Sequence, residues 1–203
     1  MKKESGFTLI ELMITLIVAA ILLTVGVPSL KSFIQNGKVT EARDSLRSAL
    51  FVARSAAISE KATGCVCPTA DAAAVVPACK NDGNWETGWI AFAEITDASG
   101  ACVYDGGTDI LLKVYDGSNN DSTTFAIRND NPSINTPNYV RFNSRGAPVQ
   151  QNGVAQQGTF SICDDRGVVV DATGKTRARA IILSVAGSTR DTNIAAQITG
   201  CPL

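Results

Sequence analysis

From Phe7 to Val27 almost every position is apolar, and between Glu11 and Lys31 no residue carries a charge. A run of about 20 apolar residues, rising about 1.5 Å each as a helix, is long enough to cross the hydrocarbon core of a bilayer. Beyond Pro28 the period stays helical but one face turns polar. Leu30, Phe33, Ile34, Gly37, Ala42, Leu46, Ala49, Leu50, Ala53 and Ala57 recur three and four apart, with Lys31, Gln35, Lys38, Glu41, Arg43, Asp44, Arg47 and Arg54 between them. That spacing describes an amphipathic helix whose apolar face needs a partner. Pro28 lacks the amide that would bond one turn back, so a kink or a locally melted turn is expected there, not a stop. A helix from Thr8 to about Glu60 would be about 80 Å long. Residues 46–58 are expected to bury their apolar side against a globular part, and Gly64 is the expected C-cap.

After residue 62 the period changes to two. Cys65, Val66 and Cys67 read as a short strand stopped by Pro68, followed by an alanine-rich loop over 69–77 and a turn cluster over 81–84. Residues 85–92, with two tryptophans, predict a strand, as do 110–115, 123–128, 139–142, 158–163 and 178–186. Turns are expected at 105–107 and 144–146 and loops at 116–122, 129–138 and 150–158. Strands without helices between them point to an antiparallel sheet, so the fold class is α+β: a long N-terminal helix packed on an antiparallel β-sheet head. Trp85 and Trp89 are expected in the core, where large rings bury the most area.

Charge and composition narrow the function. The 203 residues carry a net charge of −1 and no histidine. No global excess of positive charge marks a nucleic-acid binder, and the commonest general base and metal-binding imidazole are missing. No nucleophile elbow or metal cluster offsets that loss, so neither catalysis nor a cofactor is expected.

All six cysteines, Cys65, Cys67, Cys79, Cys102, Cys163 and Cys201, follow the apolar segment. An even number beyond a membrane segment suggests three disulfides in an oxidising compartment. Zinc is the competing reading, but Cys65 and Cys67 are spaced C-x-C, the others are scattered and no C-x-x-C knuckle appears, so no metal site is assigned. Six cysteines allow 15 connectivities. Cys67 and Cys79 bracket a short loop and are paired on that ground; Cys163 with Cys201 would tie the last residues to the sheet; Cys65 with Cys102 remains by elimination.

The start of the chain is unusual for a plain anchor. Lys2 and Lys3 favour a cytoplasmic N-terminus, yet Glu11 lies inside the apolar run, where an unpaired carboxylate is costly. The basic leader ending at Gly6, followed by Phe7-Thr8-Leu9-Ile10-Glu11, resembles the class III signal of type IV pilins and type II secretion pseudopilins. The resemblance implies cleavage by a prepilin peptidase after Gly6, N-methylation of Phe7, and pairing of Glu11 with a neighbouring subunit's N-terminal amine. It divides the chain into a leader (1–6), a transmembrane and filament-core half-helix (7–30), an amphipathic half-helix (31–62) and a β-rich head (63–203).

Three further stretches, 84–92, 140–146 and 160–167 continued by 178–184, resemble the GspH/FimT branch of that family. Members implicated in DNA uptake carry Gly-Arg-x-Arg after the last long strand. Here the stretch reads Gly187-Ser188-Thr189-Arg190, so the first arginine is replaced by Ser188. Lys175, Arg177 and Arg179 would share one face of a strand and could supplement Arg190 against phosphates. Asp164, Asp165, Asp171 and Asp191 are available to neutralise them, and DNA binding is not favoured.

The resemblance implies a minor pilin of a type IV pilus tip or priming complex, acting in twitching, adhesion or DNA uptake. A DNA receptor for transformation and a GspH-type secretion pseudopilin are the alternatives. The implied partners are other major and minor pilins, the prepilin peptidase and an inner-membrane assembly platform. The implied location is the bacterial inner membrane with a periplasmic head, then the extracellular pilus.

Overall fold

The computed structural model describes residues 6–80, 83–96, 101–117, 125–129, 139–150, 153–198 and 201. Most of the leader, residues 81–82 of the expected turn, the polar stretches 118–122 and 130–138, residues 123–124 of an expected strand and residues 151–152 of a loop lie outside them. The chain divides into two compact units, Met1–Lys38 and Val39–Leu203. Helix α1, Leu9–Ser59, contributes to both.

In the first unit the helix continues through Pro28, so no turn melts there. Its apolar side chains are exposed all round, from Leu9 (76%) to Ile34 (51%). By length and composition this stretch can cross a membrane. Thr15 and Thr24 donate their hydroxyls to the carbonyls of Leu12 and Ile21, at 2.9 and 2.8 Å. That leaves no polar side-chain donor at those positions unsatisfied against lipid.

In the second unit, Val39, Ala42, Leu46, Ala49, Leu50, Ala53 and Ala57 form the buried stripe of α1. The four alanines let a sheet lie close. Strand β1 (Thr63–Pro68) does so, with Gly64 against the backbone of Ala53. Gly64 is therefore not the helix cap. The helix stops at Ser59, and Lys61, at φ 52°, takes the left-handed conformation after it.

The head contains two four-stranded antiparallel sheets. One has the order β3-β2-β1-β5, with β2 at Gly88–Glu94, β3 at Ile110–Asp116 and β5 at Val140–Phe142. The other has the order β4-β6-β7-β8, with β4 at Phe125–Asn129, β6 at Gly158–Asp164, β7 at Lys175–Leu183 and β8 at Thr189–Ile194. Neither sheet is a contiguous stretch of sequence: β4 joins the second sheet before β5 returns to the first. Strand β2 begins three residues later than expected, because Gly88 at φ 124° interrupts the extended run and residues 85–87 turn. Pro68 ends β1 from inside it. Strand β7 starts at 175 and ends at 183, while β8 and a short 3-10 helix, Ala195–Gln197, were not expected.

The inner faces of both sheets close on α1. Val66, Trp89 and Phe142 from the first sheet, and Phe160, Ile162, Ile181 and Leu183 from the second, share one core with the helix stripe. Trp85 packs edge-on against Phe160 at 5.3 Å and so joins the start of β2 to the other sheet. Trp89 stacks on Tyr115 at 4.0 Å. Both tryptophans are fully buried.

Candidate functional site

The first candidate site is the helix start. Thr8 is the N-cap of α1. Its hydroxyl accepts the amide of Glu11 at 3.3 Å, while Glu11 Oε2 accepts the Thr8 amide at 2.9 Å and the Thr8 hydroxyl at 2.8 Å. This is a reciprocal capping box, and the T-x-x-E signature for it was present in the sequence. The Glu11 carboxylate is thus held by its own chain, at an exposed position. Gly6 and Phe7 precede the helix and are exposed, Phe7 at 82%. A Cβ at residue 6 would meet nothing within 4 Å, so packing gives no reason for glycine there.

The second is the cysteine framework. The structure joins Cys65 to Cys102, Cys67 to Cys79 and Cys163 to Cys201. The first two lie on the outer face of the first sheet, in a cluster with Ile90 and Phe92. They fasten the segments around residues 79 and 102 over that face. The third holds the end of the chain against the outer face of the second sheet, beside Ala178, Ala180 and Ile198.

The third is the set of cations that could supplement one another against DNA phosphates. Lys175, Arg177 and Arg190 are exposed and Arg179 is half-buried. The ladder between β7 and β8 pairs Lys175 with Ile194 but Ala180 with Thr192, so residues 176–179 form an irregularity. Across it Lys175, Arg177 and Arg179 still alternate with the buried Thr176, Ala178 and Ala180, so the three share one side of β7. Arg190 pairs with Ile182, and Asp191 with the core residue Ile181. Paired residues share a face and neighbours alternate. Arg190 accordingly lies on the face opposite to Asp191. Arg179, two residues from Ile181, lines a cleft together with Asp191 and Arg43 of α1. The structure does not bring Arg179 and Arg190 onto one surface. Ser188, where the DNA-uptake motif has arginine, closes the β7–β8 turn: its hydroxyl lies 2.7 Å from that of Ser184, whose oxygen also accepts the Ser188 amide.

Arginines of α1 carry contacts that the sequence did not reveal. Arg47 forms an ion pair with Asp191 at 2.7 Å. Arg54 donates Nε to the carbonyl of Gly146 and Nη2 to that of Ala186, each at 2.9 Å, tying two turns to the helix. Their alternation with apolar residues had marked them only as a polar face.

Comparison with known proteins agrees with this architecture. The family model described as type II transport protein GspH matches residues 42–187, and that of the prokaryotic N-terminal methylation motif matches residues 1–27. No curated protein matches the chain. A crystal structure of the type IV minor pilin FimU of Pseudomonas aeruginosa superposes with a TM-score of 0.53 at 20% identity, covering 83% of this chain and 98% of that one. A second crystal form of the same pilin gives 0.49 at 19% identity, over 80% and 98%.

Proposed function

Because the chain belongs to the GspH family of pilin-like proteins and carries the N-terminal methylation motif, we propose that it is a minor pilin, a structural subunit of a type IV pilus tip or priming complex. The observation that carries the reading is the uncovered apolar helix begun by Thr8 and Glu11. Such a surface is stable only in lipid or against other apolar helices, which are its two environments before and after assembly. On this reading a prepilin peptidase cuts after Gly6 and Phe7 is methylated. The helix then holds the subunit in the inner membrane with the disulfide-bonded head outside, until an assembly platform inserts it among other pilins.

Processing is tested by mass spectrometry of membrane-extracted protein. The expected mature terminus is N-methyl-Phe7, and Gly6→Val should abolish it. A mature chain beginning elsewhere refutes the reading. Assembly is tested at Glu11. Glu11→Gln keeps acceptors for Thr8 but removes the charge that would meet a neighbour's amine. It should remain in the membrane and be depleted from sheared pili, whereas a purely local capping role would leave incorporation unchanged.

The family description favours one second reading, a pseudopilin of a type II secretion system. A deletion strain separates them: lost twitching with normal secretion supports the pilus, and the reverse supports the secretion system. A DNA-receptor role gains little support from the opposed faces of Arg179 and Arg190 and from the use of Ser188 in a turn. Loss of transformation alone in the deletion strain would reinstate it.

A further inference from the structure

The two sheets end in four edge strands, which differ in how they are closed. On β4 the Ile127 amide donates to Glu86 Oε1 at 3.2 Å. On β5 the Arg141 amide donates to Gln156 Oε1 at 2.9 Å, and the Arg141 carbonyl accepts the Val149 amide at 2.8 Å. Strand β8 is polar and carries Arg190 and Asp191. Blocking groups and charges are the ordinary protection of a sheet edge against pairing with another chain. Strand β3 is the apolar edge: Ile110, Leu111 and Val114 are 46%, 39% and 38% exposed, with Lys113 the one charge among them.

The register of β3 fixes where its backbone groups point. An antiparallel residue gives both its N–H and its C=O to one neighbouring strand, and the next residue gives its own to the other side. The Thr69 amide bonds the Gly88 carbonyl at 3.0 Å, and the Gly117 amide bonds the Thr87 carbonyl at 3.2 Å. Gly88, Ile90 and Phe92 therefore bond β1, while Trp89, Ala91 and Ala93 bond β3. Val114 lies opposite Ile90, and Leu111 lies opposite Phe92 beyond a bulge. Both accordingly direct their N–H and C=O away from the sheet. Beside this edge a groove of about 300 Å³ separates β3 from α1. It is lined chiefly by Phe51, Val52, Ala56, Ile110 and Leu112, and Glu60 is its one charged side chain.

An occupant of this edge must satisfy three things: the outward N–H and C=O groups, the apolar groove and the Glu60 carboxylate. A helix or an acyl chain would fill the groove but cover the backbone groups without pairing them, which is costly. An extended strand pairs them and presents alternate side chains to the groove. We propose that β3 receives an extended strand of a neighbouring subunit, hydrogen-bonded to Leu111 and Val114, with apolar side chains in the groove and a basic one against Glu60. That the strand comes from a neighbouring subunit rests on the pilin reading; the edge chemistry does not.

The test uses the full-length protein in detergent micelles, followed by amide hydrogen exchange. In the free protein the Leu111 and Val114 amides should exchange fast beside those of Lys113 and Tyr115. Equal protection would mean an edge already closed by its own chain, and overturns the proposal. The probe acetyl-Lys-Val-Thr-Val-Thr-Val-amide should protect Leu111 and Val114 saturably, about tenfold once about nine-tenths of the protein is bound. The same probe methylated on alternate backbone nitrogens should lose binding, and glutamate in place of its lysine should weaken it. No saturable protection at millimolar probe overturns the proposal. So does equal binding of the methylated probe, which would leave only an apolar groove. A dimer of the free protein that Val114→Pro dissociates would make the occupant a second copy, and overturns it too. These comparisons need no altered protein beyond that one variant. Proline is tolerated at an edge position whose N–H points outward, so Val114→Pro should melt like wild type, bind no probe and be depleted from sheared pili. Normal incorporation of Val114→Pro overturns the proposal. Wild-type protein missing from sheared pili would instead overturn the pilin reading, and the exchange and probe results would stand.

Discussion

Gly64→Ala should be among the most damaging single-methyl changes in the head. Gly64 lies in β1, an interior strand paired to Ala93 of β2 and Phe142 of β5. A Cβ built there falls 2.0 Å from the Ala53 carbonyl oxygen, 2.7 Å from its carbon and 3.1 Å from the Ala57 Cβ. Relief requires a movement of about 1 Å to reach even the shortest tolerated contact, and the groups in the way are backbone atoms inside a helix. The strand cannot swing aside without breaking ladders on both sides. Overpacking of well-filled cores costs about 1–3 kcal/mol, occasionally more, and this site belongs at the upper end. The lower entropy of an alanine-containing unfolded chain returns only about 0.4–1 kcal/mol. A net loss of about 2–3 kcal/mol corresponds to a fall in Tm of roughly 5–10 °C for a chain of this size. Circular dichroism melts of the full-length protein, disulfides intact, measure it. Gly37→Ala is the control: that helical position has open space around an added Cβ and should be neutral or stabilising. A Gly64→Ala melt within about 1 °C of wild type would refute the close approach of β1 to α1, given the size dependence of Tm on stability.

Other expectations follow from local geometry. Arg54→Lys cannot reach the Gly146 and Ala186 carbonyls together, and should lower the denaturant-derived stability by about 1–2 kcal/mol, as loss of a hydrogen bond from a charged donor does. Lys61→Gly should raise it by up to about 1 kcal/mol by relieving the left-handed strain of a side-chain-bearing residue. Asp171 is held below its ordinary pKa of 3.8 by the Thr173 hydroxyl first and by the amides of Lys175 and Thr173. Its contribution to stability is full above the ordinary carboxylate pKa and is lost as pH falls through the lowered one. Carbon-detected NMR titration should show Asp171 moving back toward its ordinary value in Thr173→Val.

The helix was legible because Leu46, Ala49, Leu50, Ala53 and Ala57 repeat at helical spacing and bury on one stripe. The same rule failed for β8. Thr189-Arg190-Asp191-Thr192-Asn193-Ile194 has no alternation of apolar residues, since this edge strand owes its form to hydrogen bonding with β7. Gly64 looked like a cap because a glycine shortly after an amphipathic helix usually is one; here it is needed for close approach. The capping box is legible in the T-x-x-E spacing of Thr8 and Glu11, which serves the helix start as well as placing a charge there. The cleft was not readable at all. Arg43 lies on α1 while Arg179 and Asp191 lie on neighbouring strands, and the register of β8, which was not expected, decides which charged groups meet there.

The exchange of β4 and β5 between the sheets bears on what a break in the chain would do. Cleavage between residues 129 and 140 leaves one piece holding α1, β1, β2, β3 and a strand of the second sheet. The other holds β6, β7, β8 and a strand of the first. Each fragment keeps an element that only its counterpart can pair, so the nicked head is clasped by mutual insertion and not merely by surface contact. No disulfide crosses the cut, since each lies within one fragment, so covalent linkage is not what would hold the pieces together. The two pieces should therefore co-purify after proteolysis in reducing as well as oxidising buffer at temperatures below the melt. When expressed separately, neither should yield a folded half until the complementary one is added.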